Sequence, residues 1–600
     1  MANSRTAWVR LALGLIQGIT LYLLYHAAKS ELWPATEPLL FAPLLLVAFF
    51  VPILMMSGLG HLSMRALWCW ILLAALIAAG LGVHDSWRSL GAPAWEYGRD
   101  MTKAHYPSFL LWLFGAAGFY IAHALILAAA ADGKRIATYP SYFDSAWKLL
   151  IQLHFSALFV GVFWMVLQLG GALFKLIQLD FLHDLLQESW FAIPVTVFAF
   201  ACAMHLTDVR PAIVRGIRNL LLVLLSWLLP VTLLIVGGFL CSLPVRGLAQ
   251  LWATKHATAL LLSATAVLVI LINTAFQNGT VAGEVARVLR ISARLASLLL
   301  VPLVAIAIYA LSLRVGEHGW TTDRIIAACC LLVASCYALG YAWAASRWTA
   351  WLSAVAPVNI ATAFVILAVL LALFSPVLDP ARISVANQMT RLENGTQSAE
   401  KFDFDYLKFE GRRYGLAALE QLKLSTQGKD AALVRDKATQ SLAKKNRWEK
   451  SGERPTSQEL SSHLKVWPKD KLVPESFTAQ DWSSDTNQWQ LPACLRNRTS
   501  SCDVYPIDFD GSGKVSLLVI PQGSDDGQGA KVFTQENDGR WRVAATLSNN
   551  LARCAALRDK LQSGDYRLIA PRLKDIEIGG KRIALSPVPD IESKCDAIGK

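Results

Sequence analysis

Few residues in this 600-residue chain combine a type and a spacing that could do chemistry. The clearest run is Asp508-Phe509-Asp510-Gly511-Ser512-Gly513. Oxygen ligands at positions 1, 3 and 5 with glycine at 6 open a calcium loop. Position 12 of that pattern is Val519, inside an apolar run, where a bidentate acid is required. A complete EF-hand is therefore excluded. An Asp/Gly turn feeding a strand is the preferred reading. Ca2+ held loosely by Asp508, Asp510 and Ser512 is the alternative, and no other cofactor is expected.

A second set is Asp180, His183, Asp184 and Glu188, spaced i, i+3, i+4 and i+8. On a helix they share one face, and carboxylates with an imidazole suit a divalent metal. A solvated helix face is the plainer reading. The chain shows no nucleophile elbow, phosphate loop, paired zinc motif or nucleotide fingerprint, so the sequence leans away from an enzyme.

These residues must be positioned by elements of two kinds. The chain is 54% hydrophobic and 17% charged, below the roughly 25% charge of an average soluble domain. The charge is unevenly spread. Residues 1–378 hold 22 Lys and Arg with 14 Asp and Glu, leaving 34 and 30 for the remainder. A net charge of +12 arises largely from short loops between apolar runs. Membrane orientation explains that excess better than nucleic acid does, and no nucleic-acid partner is expected.

A helix needs roughly 20 apolar residues to cross the bilayer. Eleven segments qualify: 8–27, 39–56, 66–83, 109–131, 149–169, 190–206, 220–243, 257–276, 295–313, 325–345 and 351–377. The first reads as an uncleaved span, because its apolar run is longer than a signal-peptide core. With the N-terminus cytoplasmic, inside segments carry 13 basic and 4 acidic residues, and outside loops 9 and 10. That is a positive-inside bias. An odd number of spans then places the tail in the periplasm.

The cysteines agree with that placement. Cys69, Cys202, Cys241, Cys329, Cys330 and Cys336 lie in spans, where a thiol packs as a small apolar group. Cys494, Cys502, Cys554 and Cys595 lie in the tail, and an even number in an exported domain suggests disulfides. Of three pairings, Cys494–Cys502 with Cys554–Cys595 is favoured, since the first closes a short loop.

No Asp or Glu stands in the middle of a span, which weakens a proton- or sodium-coupled transporter. The polar residues at depth are Gln17, His123, Gln152, His154, Gln168, Asn273 and Asn359. His123 and Asn359 are the candidate intramembrane polar site. A hydrogen bond between helices is the favoured role for His123. Asn359 follows Pro357 and is expected to satisfy a carbonyl that the proline frees. Two segments read as interfacial amphipathic helices, 281–295 and 173–188. On the first, Arg287, Arg290 and Arg294 are placed to meet anionic lipid headgroups.

In the tail, 401–424 and 429–448 read as helical, and 452–492 as loop. Residues 515–520, 530–534 and 540–546 read as strands, 551–561 as a helix and 576–585 as a hairpin turning at Gly579-Gly580. The fold class is an α-helical polytopic membrane domain of about eleven transmembrane helices followed by a soluble α+β C-terminal domain. The domains are 1–378 in the membrane, 379–450 as a helical periplasmic connector, 451–492 as linker and 493–600 as the small α+β domain.

Several passages resemble an uncharacterised bacterial inner-membrane family catalogued as domain of unknown function 4153. They are Asn273-Thr274-Ala275-Phe276-Gln277-Asn278-Gly279, Gly319-Trp320-Thr321-Thr322-Asp323-Arg324, Phe404-Asp405-Tyr406-Leu407 and Arg413-Tyr414-Gly415. The resemblance covers mainly residues 150–425. It implies a multi-pass membrane protein and carries over no catalytic residues. Thr321 or Thr322 reads as a cap on the tenth helix, with Asp323 near its positive end.

The leading functional reading is a bacterial inner-membrane protein with an exported domain in a binding, sensing or envelope-associated role. Its partners are the bilayer and a periplasmic or envelope protein. A transporter or channel is one alternative. An enzyme on a lipid-linked substrate is another, with Glu31, Glu37, Asp85, Glu96 and Asp100 as the outer-surface carboxylates it would use.

Overall fold

Apolar runs with no competing polar pattern form helices wherever a start signal precedes them. Pro38 occupies the first turn of one helix and the Ser63 hydroxyl accepts from Ala66 N–H (3.3 Å) at the start of the next. The structure is a computed structural model. It describes residues 2–91, 106–209, 211–247, 257–279, 285–347, 352–426, 430–444, 447, 457–482, 490–496, 500–509, 511, 513–522, 529–547, 555–569, 576–578 and 581–583. The chain divides into two units, Met1–Asn446 and Arg447–Lys600.

In the first unit the helices are α1 (Ala2–Lys29), α2 (Pro38–Gly58), α3 (Met64–Ser89), α4 (Phe109–Asp132), α5 (Tyr139–Leu176), α6 (Phe181–Gln187), α7 (Ser189–Val209), α8 (Pro211–Ser226) and α9 (Leu228–Arg246). Then follow α10 (Ala257–Phe276), α11 (Arg287–His318), α12 (Thr322–Ser346), α13 (Val355–Leu373), α14 (Pro380–Glu393), α15 (Phe404–Phe409), α16 (Arg412–Lys423) and α17 (Ala431–Ala443). Among the described residues, 11 stretches of helix are long and apolar enough to cross a membrane, the last ending at Leu373. Their outward faces carry Leu158, Met165, Val166 and Leu169 on α5 and Leu234 and Ile235 on α9, all exposed. Apolar surface on that scale is stable only against lipid.

The spans form two groups. Helices α2–α5 enclose a core of Leu46, Phe50, Leu67, Trp70, Leu111 and Phe119, joined by Ile325 of α12 and Leu373 of α13, while α7 packs on α1 and α5. Helices α9–α13 enclose a second, centred on Leu268, Ala293, Leu300, Tyr341 and Val355. Small residues allow the closest crossing. A Cβ on Gly14 would stand 2.3 Å from the Ala201 Cβ, and one on Gly18 2.7 Å from the Pro194 Cα, so α1 meets α7 through its Gly14 and Gly18 face.

Three boundaries differ from the sequence reading. The seventh span is two helices, α8 and α9, broken at Trp227. Pro230 lies in the first turn of α9, where its missing N–H is tolerated, so the chain restarts there instead of continuing through. The Arg287–Arg294 stretch is no separate interfacial helix. Nothing before Pro302 interrupts it, and it runs on as the first turns of α11. The 173–188 stretch is divided between the end of α5 and the short α6, with Gln178 at φ 59° between them.

After the spans, Asp379 caps α14, its carboxylate accepting from Ala381 N–H at 2.9 Å with Pro380 as the first helical residue. Helices α14–α17 share a core of Val385, Phe402, Phe404, Leu407, Leu419, Leu422 and Ala438. The 401–424 stretch is two helices rather than one, because Gly411 ends α15 and opens α16.

The second unit contains α18 (Ser457–His463), β1 (Leu464–Val466), α19 (Glu475–Thr478), α20 (Ala493–Arg496), β2 (Cys502–Ile507), β3 (Ser516–Pro521), β4 (Lys531–Gln535), β5 (Trp541–Thr546), α21 (Ala555–Gln562), β6 (Ile576–Ile578) and β7 (Lys581–Ile583). Strands β1 to β5 form one sheet in chain order, with β1 parallel to β2 and the other pairs antiparallel. One face packs Val504, Leu517, Val519, Phe533 and Trp541 against Phe477, Trp482 and Leu495. The other buries Tyr505, Ile507, Leu518, Ile520 and Val532. Alternate residues thus serve opposite cores, and β2 and β3 are buried along their whole length. The sequence reading found β3, β4 and β5 and the β6–β7 pair, but not β1, which lies inside the stretch read as loop, nor β2.

Candidate functional site

The membrane unit holds a cavity of about 580 Å3 walled by α1, α2, α4, α5 and α7. Its surface is carbon from Leu21, Phe49, Phe50, Phe119, Leu149 and Val160, among others. From Phe49 to Ser57 on α2 and from Leu149 to Val160 on α5, the lining runs about 12–16 Å along the helix axes. That is roughly half the hydrocarbon thickness of a bilayer. Phe49 and Leu153 in the wall are exposed, so the cavity is open to the surroundings of the helices.

Three of the polar residues at depth meet in that wall: Gln17, His123 and Gln152. The Gln17 amide donates to the carbonyls of Ala48 (3.1 Å) and Phe49 (2.8 Å). Pro52 has no N–H to give Ala48 O, four residues earlier, and Gln17 supplies the missing donor. Gln17 Oε1 is buried without a partner. The Trp70 indole, which can only donate, gives its N–H to His123 Nδ1 at 3.0 Å. The proton of the neutral ring is then on Nε2, which is buried and unpartnered. His123 is therefore the interhelical hydrogen bond expected of it. The Gln152 amide donates to Met204 O at 2.8 Å.

A charge cluster lies just beyond one end of the cavity. Asp208 on α7 receives Arg10 of α1 (2.8 Å), Lys148 of α5 (2.7 Å) and His61 of the α2–α3 loop (3.0 Å). Arg10 also donates to Leu59 O at 2.6 Å and lies 3.4 Å from His205 Nδ1. Its Nε is buried without a partner.

Asn359 belongs elsewhere. Its amide donates to Tyr139 Oη (3.0 Å) and to Asn273 Oδ1 (2.6 Å), and its own Oδ1 accepts from Tyr341 Oη at 2.6 Å. Asn273 donates to Tyr341 Oη at 2.7 Å. The four side chains close a ring between α5, α10, α12 and α13. Asn359 does not serve a proline-freed carbonyl, because Pro357 stands in the first turn of α13, where no intrahelical bond is lost. His123 and Asn359 are thus two separate features.

The opposite ends of the spans carry a second charge cluster. Asp85 accepts from the Arg88 guanidinium at 2.6 and 3.0 Å and from Ser108 N–H and Oγ at 2.7 and 2.9 Å. Asp379, fully buried, lies 3.3 Å from His84 Nε2 and 3.6 Å from the Arg88 guanidinium. Burial opposes ionisation of Asp379. The His84 contact, the Arg88 charge and the Ala381 N–H outweigh it and hold the carboxyl below its ordinary range. Burial, with the Asp379 charge close by, pushes the Tyr414 phenol up. Tyr414 meets the Trp87 ring edge-on at 5.9 Å and Arg413 stacks on it at 4.7 Å. The Asp85 oxygens are thus taken by Arg88 and Ser108. Glu31 and Glu37 are exposed, and Glu96 and Asp100 lie outside the described residues.

The motif residues meet in the same region. Thr322 N–H at the start of α12 donates to Tyr406 Oη (3.0 Å), which also meets Ser384 Oγ at 2.6 Å. Trp320 N–H donates to Asn387 Oδ1 at 2.9 Å, and Trp320 O accepts from Gln388 at 3.0 Å. Thr321 holds the cap position without a side-chain bond, so the phenol of Tyr406 does what a threonine was expected to do.

The remaining candidate residues are dispersed. Asp180 and Glu188 flank α6, and His183 and Asp184 lie within it. Among the described residues no three His, Cys, Asp or Glu side chains are grouped to hold a metal. Asp508 accepts from Gly511 N–H (2.8 Å) and Gly513 N–H (2.9 Å), closing the turn with its own oxygens, while Asp510 and Ser512 lie outside the described residues. Cys494 and Cys502 are bonded, with Cα atoms 5.8 Å apart, joining α20 to β2. Cys554 and Cys595 lie outside the described residues.

Sequence reasoning missed Arg10, His61, Trp70, Tyr139, Lys148, Asp208 and Tyr341. Each sits near a span end or has an unremarkable type, and only their convergence distinguishes them. No curated protein and no solved structure matches the chain. A family model described as domain of unknown function (DUF4153) matches residues 40–422, from the second span to α16, and so takes in the α14 and α15 residues that make the motif contacts. This multi-pass membrane chain belongs to the DUF4153 family.

Proposed function

We propose that this is a bacterial inner-membrane protein that holds an apolar chain from the surrounding lipid in its intramembrane cavity. It works by binding or sensing at the envelope, with its C-terminal unit on the periplasmic side. The cavity carries this reading. Its lining extends about 12–16 Å along the helix axes, is almost wholly carbon, includes the exposed Phe49 and Leu153, and comes from five helices. A void of that size in a lipid-embedded bundle is filled by hydrocarbon more cheaply than by water, which finds few partners on a wall that is mostly carbon. The periplasmic assignment draws support from the loop-charge bias, the odd number of candidate spans and the Cys494–Cys502 bond, since disulfides persist in oxidising compartments. The reading as an enzyme on lipid-linked substrates is weakened by Asp85, whose oxygens are taken by Arg88 and Ser108.

The test is lipid retention. Full-length protein purified in mild detergent is extracted, and bound lipid is quantified by mass spectrometry. Wild type is expected to retain lipid in stoichiometric amount. Ala157→Trp, which fills the cavity, is expected to lose most of it, while Leu158→Trp on the outward face keeps it. Equal retention by both variants, or none by wild type, would remove the reading.

A further inference from the structure

The cavity and the Asp208 cluster are parts of one feature, because the helices that wall the first also carry the second. On α1, Gln17 lines the cavity and Arg10 lies seven residues away on the same face. On α5, Gln152 lines it and Lys148 is one turn away. On α7, Met204 lines it and Asp208 is one turn on. On α2, Ser57 lines it, and Leu59, two residues later, accepts from Arg10. The apolar slot therefore ends at a ring of charged side chains.

That ring carries an excess of positive charge. Arg10 and Lys148 face one carboxylate, Asp208, and His61 and His205 add further charge whenever they are protonated. The Arg10 side chain is 4% exposed and its Nε has no partner. A surplus cation at the edge of hydrocarbon is costly unless an anion offsets it. Lys148 and His61 have side-chain exposures of 33% and 38%, so the ring can be reached from outside. Guanidinium and ammonium side by side are suited to phosphate, which has several acceptor oxygens.

We propose that the site takes an amphiphile with a phosphate head, its chain in the cavity and its head on Arg10, His61 and Lys148. This rests on the chain-binding reading above and adds the chemistry of the head. Two sources share that chemistry, a glycerophospholipid and an isoprenyl phosphate.

The test is equilibrium binding of radiolabelled dodecyl phosphate and of dodecanol to full-length protein in detergent. Dodecyl phosphate is expected to bind wild type at least about tenfold more tightly than dodecanol, the range of a charge-assisted hydrogen bond. Lys148→Gln should remove that advantage without changing dodecanol binding, and Lys148→Arg should restore it. Added salt should weaken the phosphate probe alone. Thermal unfolding of the variants separates lost binding from lost folding, and a misfolded Lys148→Gln leaves the salt and dodecanol comparisons in wild type to decide. Equal affinity for the two probes overturns the head-group assignment. The cavity reading then stands if Ala157→Trp still abolishes dodecanol binding. If neither probe binds, both fall. If millimolar inorganic phosphate displaces the dodecyl phosphate and Ala157→Trp leaves its binding unchanged, the cluster is an isolated anion site and the proposal fails. Competition by phosphatidylglycerol or by farnesyl phosphate supports it, and the stronger competitor names the source.

Discussion

Asp379 Oδ2 lies 3.3 Å from His84 Nε2, so the residue at which the chain leaves its last apolar helix is tied to the end of α3. Asp379 also faces Arg88 and caps α14. One buried carboxylate thus joins the spans to the helices that follow them.

Asp379→Asn keeps an oxygen that can cap α14 but removes the charge facing Arg88 and His84. Breaking a buried ion pair from one side costs about 3 kcal/mol. The variant should unfold at lower temperature in detergent and lose protection of α14–α17 from proteolysis. An unchanged melting temperature would show that the pair contributes nothing.

The same carboxyl sets a pH dependence. Its folded-state value is depressed, so its contribution is complete above the ordinary carboxylate range, near about 4, and is lost as pH falls through the lower folded-state value. The stability gap between wild type and Asp379→Asn should therefore close below about pH 4. Unfolding midpoints measured across that range check it, and a gap that widens on acidification contradicts the sign.

Tyr406→Phe removes only the hydroxyl that meets Thr322 N–H and Ser384 Oγ. Leaving a buried donor unsatisfied costs about 2 kcal/mol. Hydrogen exchange at Thr322 should speed up markedly. Unaltered exchange there would remove the capping role.

Gly415 lies where α16 crosses α15. A Cβ there would stand 1.8 Å from Leu407 O, a backbone atom that cannot step aside alone. Gly415→Ala should cost about 3 kcal/mol, at the upper end for overpacking. Gly316→Ala, in α11 with open space around it, is the control and should leave the melting temperature unchanged or slightly raised, since alanine is the better helix former.

The disulfide tests the side on which the tail stands. A variant keeping Cys494 and Cys502 as its only cysteines should gain no polyethylene-glycol maleimide when denatured without reductant, and two adducts with it. Two adducts without reductant would indicate a reducing compartment and sink the periplasmic assignment.

The membrane architecture was legible because it depends on composition along the chain. An apolar run of span length has few other stable states, and every one of the eleven segments read from sequence overlaps a candidate span. Strands β3, β4 and β5 were legible for the same local reason, as short apolar runs bounded by Gly, Asp and Asn. Strand β1, with three residues, has too short a pattern to register, and β2 carries Pro506 and Asp503, which argue against a strand until β3 buries them.

The site divides along the same line. Sequence alone picked out Gln17, His123, Gln152 and Asn359 as polar residues in hydrocarbon, because their types are costly there wherever the helices lie. It could not say that the first three share a cavity and the fourth a ring with Tyr139, Asn273 and Tyr341. Nor could it say that Gln17, rather than Asn359, answers a proline. Those facts depend on which helix faces which. That choice is made by packing between segments far apart in the chain: the Gly14 and Gly18 spacing marks a close-packing face, but nothing in the sequence names Ala201 and Pro194 of α7 as what it meets.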